Sequence, residues 1–72
     1  MNLLKQLTEL EQFGTVEHIN INSVLTVSMS GNFNPIVVDE ILSFIKRHAK
    51  DDFPSLETLK VDTTKILIVL KP

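Results

Sequence analysis

The chain has 72 residues, enough for one small domain, and carries a net charge of −2 at pH 7. It has no cysteine and only two histidines, so we expect neither a disulfide nor a structural zinc site. The slight negative charge and the absence of Trp and Tyr argue against nucleic-acid binding, and the longest apolar run, residues 66–70, is far too short to span a membrane.

The chain begins with leucines at helical spacing. Leu3, Leu4, Leu7 and Leu10 recur with polar residues between them, which predicts an amphipathic helix over residues 2–12. A glycine follows closely and suits the end of such a helix.

Residues 15–30 alternate between apolar and polar side chains and predict a β-hairpin with one buried face. Pairing Ile21 with Leu25 leaves a three-residue loop. This register places Ile19 and Ile21 in the core, and it places His18 on the opposite, polar face.

A second helix is predicted from residue 34 onwards. Asn34 is suited to cap the first turn, and Pro35 fits the first helical position, where no N–H is needed. One apolar stripe recurs at helical spacing along this segment and consists of Val38, Ile41, Leu42, Ile45 and Ala49.

Residues 56–70 predict a second hairpin, in which we pair Val61 with Ile66 and Leu59 with Ile68. The last strand is apolar at every position, which is typical of a strand in the interior of a sheet. We therefore place it between the second and third strands.

These elements predict a single α+β domain over residues 1–72. It is a two-layer α-β-β-α-β-β sandwich, a permuted ferredoxin-like arrangement with a four-stranded antiparallel sheet of order 1-2-4-3. Both helices cover one face of the sheet. Leu67 and Val69 then point to the opposite, open face.

Several segments follow a sequence pattern that is similar to that of a known group of proteins. A strand ending in Gly31 leads into a helix that carries Phe44-Ile45, and Phe53-Pro-Ser-Leu then opens the closing hairpin. This pattern resembles the ferredoxin-like domains of the inner-membrane platform proteins of bacterial type IV pili and type II secretion systems, the PilN/PilO and GspL/GspM groups. The resemblance implies a non-enzymatic, dimerising periplasmic domain.

We therefore expect a protein–protein assembly module that pairs with itself or with a homologous domain. The expected interface consists of Leu67, Val69, Thr26, Ser28 and His18. We expect no cofactor, small-molecule substrate, nucleic-acid partner or membrane insertion of this segment. The alternative is a free-standing small regulator or inhibitor that binds one macromolecule, and it would be cytoplasmic if the chain is complete as given.

No enzymatic activity is expected, because the sequence has no phosphate-binding loop, nucleophile elbow or metal-ligand spacing. His18 and His48 are the candidates for acid–base chemistry, although each fits a surface histidine better. Asp51 and Asp52 fit either a cation site or an ordinary connection. The basic residues at 46–50 fit either phosphate contacts or complementation of the helix dipole.

Overall fold

The computed structural model describes residues 3–72, apart from the side chain of Leu4. In chain order the elements are α1 (Leu3–Leu7), a 3-10 helix (Thr8–Gln12), β1 (Gly14–Ile21), β2 (Val24–Gly31), α2 (Pro35–Ala49), β3 (Ser55–Val61) and β4 (Lys65–Lys71).

The four strands form one antiparallel sheet of order β1-β2-β4-β3, which confirms the predicted topology. The core lies between the helices and one face of the sheet. The sheet contributes alternate residues of its two central strands, which are Leu25, Val27, Met29, Ile66, Ile68 and Leu70. The rest of the chain contributes Ile41, Ile45 and Ala49 from α2, Leu3, Leu7 and Leu10 from the N-terminal helical segment, and Phe33.

The first helix is α-helical only over Leu3–Leu7 and continues as a 3-10 helix over Thr8–Gln12. Leu3, Leu7 and Leu10 are buried, as their spacing predicts. The predicted start at residue 2 and the side chain of Leu4 lie outside the described residues. Phe13 donates its N–H to the carbonyl of Leu10, which closes the segment just before β1.

The second helix matches the prediction closely. The Asn34 side-chain oxygen accepts the N–H of Val37 at 2.8 Å, and Pro35 is the first helical residue. The side chains that face the sheet are the buried Ile41, Ile45 and Ala49 and the half-buried Val38 and Leu42.

The turn of the first hairpin differs from the prediction. Asn22 and Ser23 have φ values of 53° and 66° and form a two-residue turn that pairs Ile21 with Val24. Positive φ at both central residues is the geometry of a type I′ turn, whose twist matches that of the flanking strands. The predicted three-residue loop and the pairing of Ile21 with Leu25 are therefore wrong.

This one-residue shift reverses both faces of β1. Ile19 pairs with Thr26, and His18 pairs with the core residue Val27. His18 therefore lies on the side that bears the helices, while Ile19 and Ile21 lie on the open face, contrary to the prediction. The reason is that side chains alternate with a period of two, so a slip of one residue moves every side chain across the sheet.

The second hairpin contains a β-bulge. Val61 pairs with Ile66 as predicted, but Ile68 pairs with Thr58, because Leu59 is the extra residue of the bulge. The predicted pairing of Leu59 with Ile68 is wrong, and 54% of the surface of Leu59 is exposed. A bulge bends and twists the strand locally, and on an edge strand such as β3 it hinders pairing with another chain.

The turn between β3 and β4 is organised by Asp62. Its carboxylate accepts the N–H groups of Thr64 and Lys65 at 2.8 and 2.7 Å, together with the Thr64 hydroxyl at 2.9 Å. The carbonyls of Thr63 and Thr64 in turn accept the N–H groups of residues 33 and 31. The turn therefore also fixes the segment that leads from β2 into α2.

Candidate interface on the open sheet face

Rows of side chains cross the open face of the sheet from β1 to β3. One row, given by the strand register, consists of Ile19, Thr26, Val69 and Glu57. The adjacent row consists of Glu17, Ser28, Leu67 and Lys60. On the other side of the first row, Ile21 pairs with Val24 beside the turn.

Five apolar side chains lie together in these rows and form what we term the apolar patch, consisting of Ile19, Ile21, Val24, Leu67 and Val69. Ile19 and Ile21 are 60% and 63% exposed, whereas the other three are half-buried. Thr26 lies at the centre of the patch, between Ile19 on β1 and Val69 on β4. The two helices pack on the opposite face of the sheet.

Charged residues surround the apolar patch unevenly. Glu17 lies on the β1 side and forms no ion pair within residues 3–72. The β4 and β3 side carries three lysines and one glutamate. Two surface ion pairs occur there, Lys71 with Glu57 at 3.8 Å and Lys60 with Asp62 at 3.9 Å. Pairs this exposed contribute little to stability.

The structure brings together four of the five predicted interface residues. Leu67, Val69, Thr26 and Ser28 are neighbours on the open face. His18 is not part of this group, because the register places it on the other side of β1.

The sequence reasoning missed the three other members of the patch, Ile19, Ile21 and Val24. The signal for them was Asn22-Ser23, because Asn favours positive φ and two-residue loops are the commonest hairpin connection.

The outer edge of β1 is a second feature relevant to association. Ile21 and Val24 close the two-residue turn as a hydrogen-bonded pair, and such pairs alternate along the strand. The backbone groups of His18 and Asn20 therefore point away from β2. No proline or bulge interrupts the β1–β2 ladder, so this edge lacks the usual protection against pairing with another strand.

The residues considered for catalysis or metal binding are dispersed. His48 packs against Phe44 with ring centroids 4.4 Å apart and the ring planes tilted by 50°, and His18 is on a different element, at the sheet edge. Asp51 and Asp52 are exposed in the connection after α2. The described residues contain no group of three His, Asp or Glu side chains placed to hold a metal ion.

An open cleft of about 530 Å³ lies between the outer side of α2 and the 3-10 helix. Its apolar lining includes Phe13, Ile36 and Phe44, and its polar lining includes Asp39 and Arg47. Ligand pockets normally hold convergent, buried polar groups that orient the ligand. The polar residues that line this cleft are all exposed, so it lacks that feature.

Two further observations bear on the identity of the domain. Over residues 3–72, no helix has the length and apolar character needed to cross a membrane. No family model, curated protein or solved structure matches the chain.

Proposed function

We propose that this domain is a non-enzymatic protein–protein assembly module that associates through the open face of its sheet. In the proposal it pairs with a second copy of itself or with a homologous domain, as the resemblance to the pilus and type II secretion platform proteins implies. The same resemblance implies a periplasmic location in a bacterium.

One observation carries the proposal, namely the apolar patch on a sheet face that the described helices leave open. Single exposed apolar residues are ordinary on protein surfaces, but a contiguous group is typical of an interaction site. Here two isoleucines on β1, each about three-fifths exposed, adjoin Val24 on β2, and Leu67 and Val69 follow on β4 beyond Thr26 and Ser28. Polar and charged residues surround the group, as in the rim of an interface.

The size of the face predicts weak association. Four strands about 4.8 Å apart, with residues about 3.3 Å apart, make a face of about 20 by 25 Å. Two such faces bury about 1,000 Å² in total, which is at the lower end of the range for specific interfaces. We therefore expect a dimer with a micromolar to millimolar dissociation constant.

The test is a concentration series by sedimentation, comparing the natural chain with the double variant Leu67→Lys/Val69→Lys. Both side chains point away from the core, so we expect the variant to keep its circular dichroism spectrum and its cooperative unfolding. We expect it to remain monomeric where the natural chain forms dimers, because two buried ammonium groups per copy would oppose contact.

Two results would contradict the proposal. One is a natural chain that stays monomeric up to millimolar concentration, which would favour the free-standing regulator instead. The other is a dimer that survives the lysine pair. In that case His18→Pro separates the routes, because a proline there removes an outward N–H group and would abolish pairing through the β1 edge.

A further inference from the structure

The apolar patch is centred on Thr26, and the charges around it differ in sign from one side to the other. Glu17 is the acidic residue of β1 on this face. Lys60, Lys65 and Lys71 lie on the β3 and β4 side, where Glu57 pairs with Lys71 and Asp62 pairs with Lys60. The β1 side is therefore negative, and the opposite side has a small net positive charge.

We propose that the partner is a second copy of this chain, related by a two-fold axis that runs parallel to β2 above Thr26. This rests on the proposed function of the open face. The axis exchanges the β1 and β4 sides, so Ile19 of each copy lies over Val69 of the other. It also places Glu17 over Leu67 of the second copy, and Leu67 is paired with Lys60 on the neighbouring strand, about 4.8 Å away within that sheet.

A two-fold axis in the plane of the face that runs perpendicular to the strands matches the surfaces poorly. It lays the negative β1 side over itself and brings Glu57 against its own symmetry mate, and like charges in contact oppose association. The axis parallel to β2 instead lays Ile19 on Val69 and the negative side over the positive side, although it also sets Glu17 over Leu67 and Ile21 over Lys71.

A charge-reversal cycle tests this arrangement. Four chains are compared by sedimentation at low ionic strength, namely the natural chain, Glu17→Lys, Lys60→Glu and the double variant Glu17→Lys/Lys60→Glu. Because each dimer contains the contact twice, we expect each single reversal to raise the dissociation constant about fivefold to thirtyfold. The double variant restores opposite charges, so its dissociation constant should return to within about threefold of the natural value, and added salt should reduce all the differences.

Glu40→Lys is the matched control, because it makes the same change of net charge on the exposed outer side of α2. It should leave the dissociation constant unchanged. Suppose that the Leu67→Lys/Val69→Lys variant abolishes the dimer, but that Glu17→Lys and Glu40→Lys change its dissociation constant equally. This result would overturn the proposed axis and leave the proposed function standing. A double variant weaker than both single variants would overturn the axis as well. Monomers throughout would overturn both proposals.

Discussion

Ile41→Ala tests the core at the centre of the stripe that α2 packs against the sheet. Ile41 is fully buried, and the substitution removes three carbon atoms. At about 0.8 kcal/mol for each buried methylene, the transfer cost alone is about 2.4 kcal/mol. The cavity left behind adds to this, so we expect a loss within the range of about 2 to 5 kcal/mol. A domain of this length is stable by only about 4 to 11 kcal/mol, so the loss is a large fraction of the total.

Ile36→Ala provides a control within the same helix. Ile36 is 72% exposed near the first turn of α2, so the same substitution there removes little buried surface. We expect its free energy of unfolding to stay within about 0.5 kcal/mol of the natural chain. The assay is urea unfolding followed by circular dichroism, with the slope checked for constancy. If Ile41→Ala costs less than about 0.5 kcal/mol, or no more than Ile36→Ala, the packing of α2 described above is wrong.

Three further predictions concern the hairpins. Ser23→Gly should stabilise the domain by about 0.5 to 1 kcal/mol in urea unfolding, because glycine adopts the positive φ of 66° without steric cost. A loss of stability in this variant would argue against the two-residue turn. The amides of residues 66–70 should exchange with solvent more slowly than those of the edge strands β1 and β3, because β4 is paired on both sides, and exchange as fast as in β1 would contradict the strand order. The backbone N–H groups of Thr64 and Lys65 hold the pKa of Asp62 below its usual 3.8. The charged carboxylate therefore stabilises the fold above pH 3.8, and this contribution to stability is lost as the pH falls through the lowered pKa. The difference in urea midpoint between the natural chain and Asp62→Ala should therefore shrink on acidification, and a difference that is constant with pH would contradict this role.

The architecture was predictable because the local signals agree with one another. Three features indicate the same arrangement, namely the cap at Asn34, the apolar stripe through Ile41 and Ile45, and a last strand that is apolar at every position. The structure shows the helix and the strand order that these features predict. Consistency between local and global preferences is what makes a small sequence specify one fold.

The composition of the open face was harder to predict, because alternation alone does not say which side of an edge strand is buried. Ile19 and Ile21 alternate with polar residues, which favours placing them in the core. The turn at Asn22 and Ser23 decides otherwise, since positive φ at both residues shortens the loop by one residue. The bulge at Leu59 likewise interrupts a segment whose local alternation predicts regular pairing.

The most direct test of association through the open face compares Ile19→Lys with Ile36→Lys by sedimentation over a concentration series. Both residues are isoleucines exposed by more than half, but only Ile19 belongs to the apolar patch. Burying the remaining surface of Ile19 contributes about 1 to 2 kcal/mol per copy, so its loss from both copies should raise the dissociation constant about 30- to 1,000-fold. Ile36→Lys should leave the dissociation constant at the natural value. Equal effects of the two substitutions, or no effect of Ile19→Lys on a dimer that does form, would contradict the central claim.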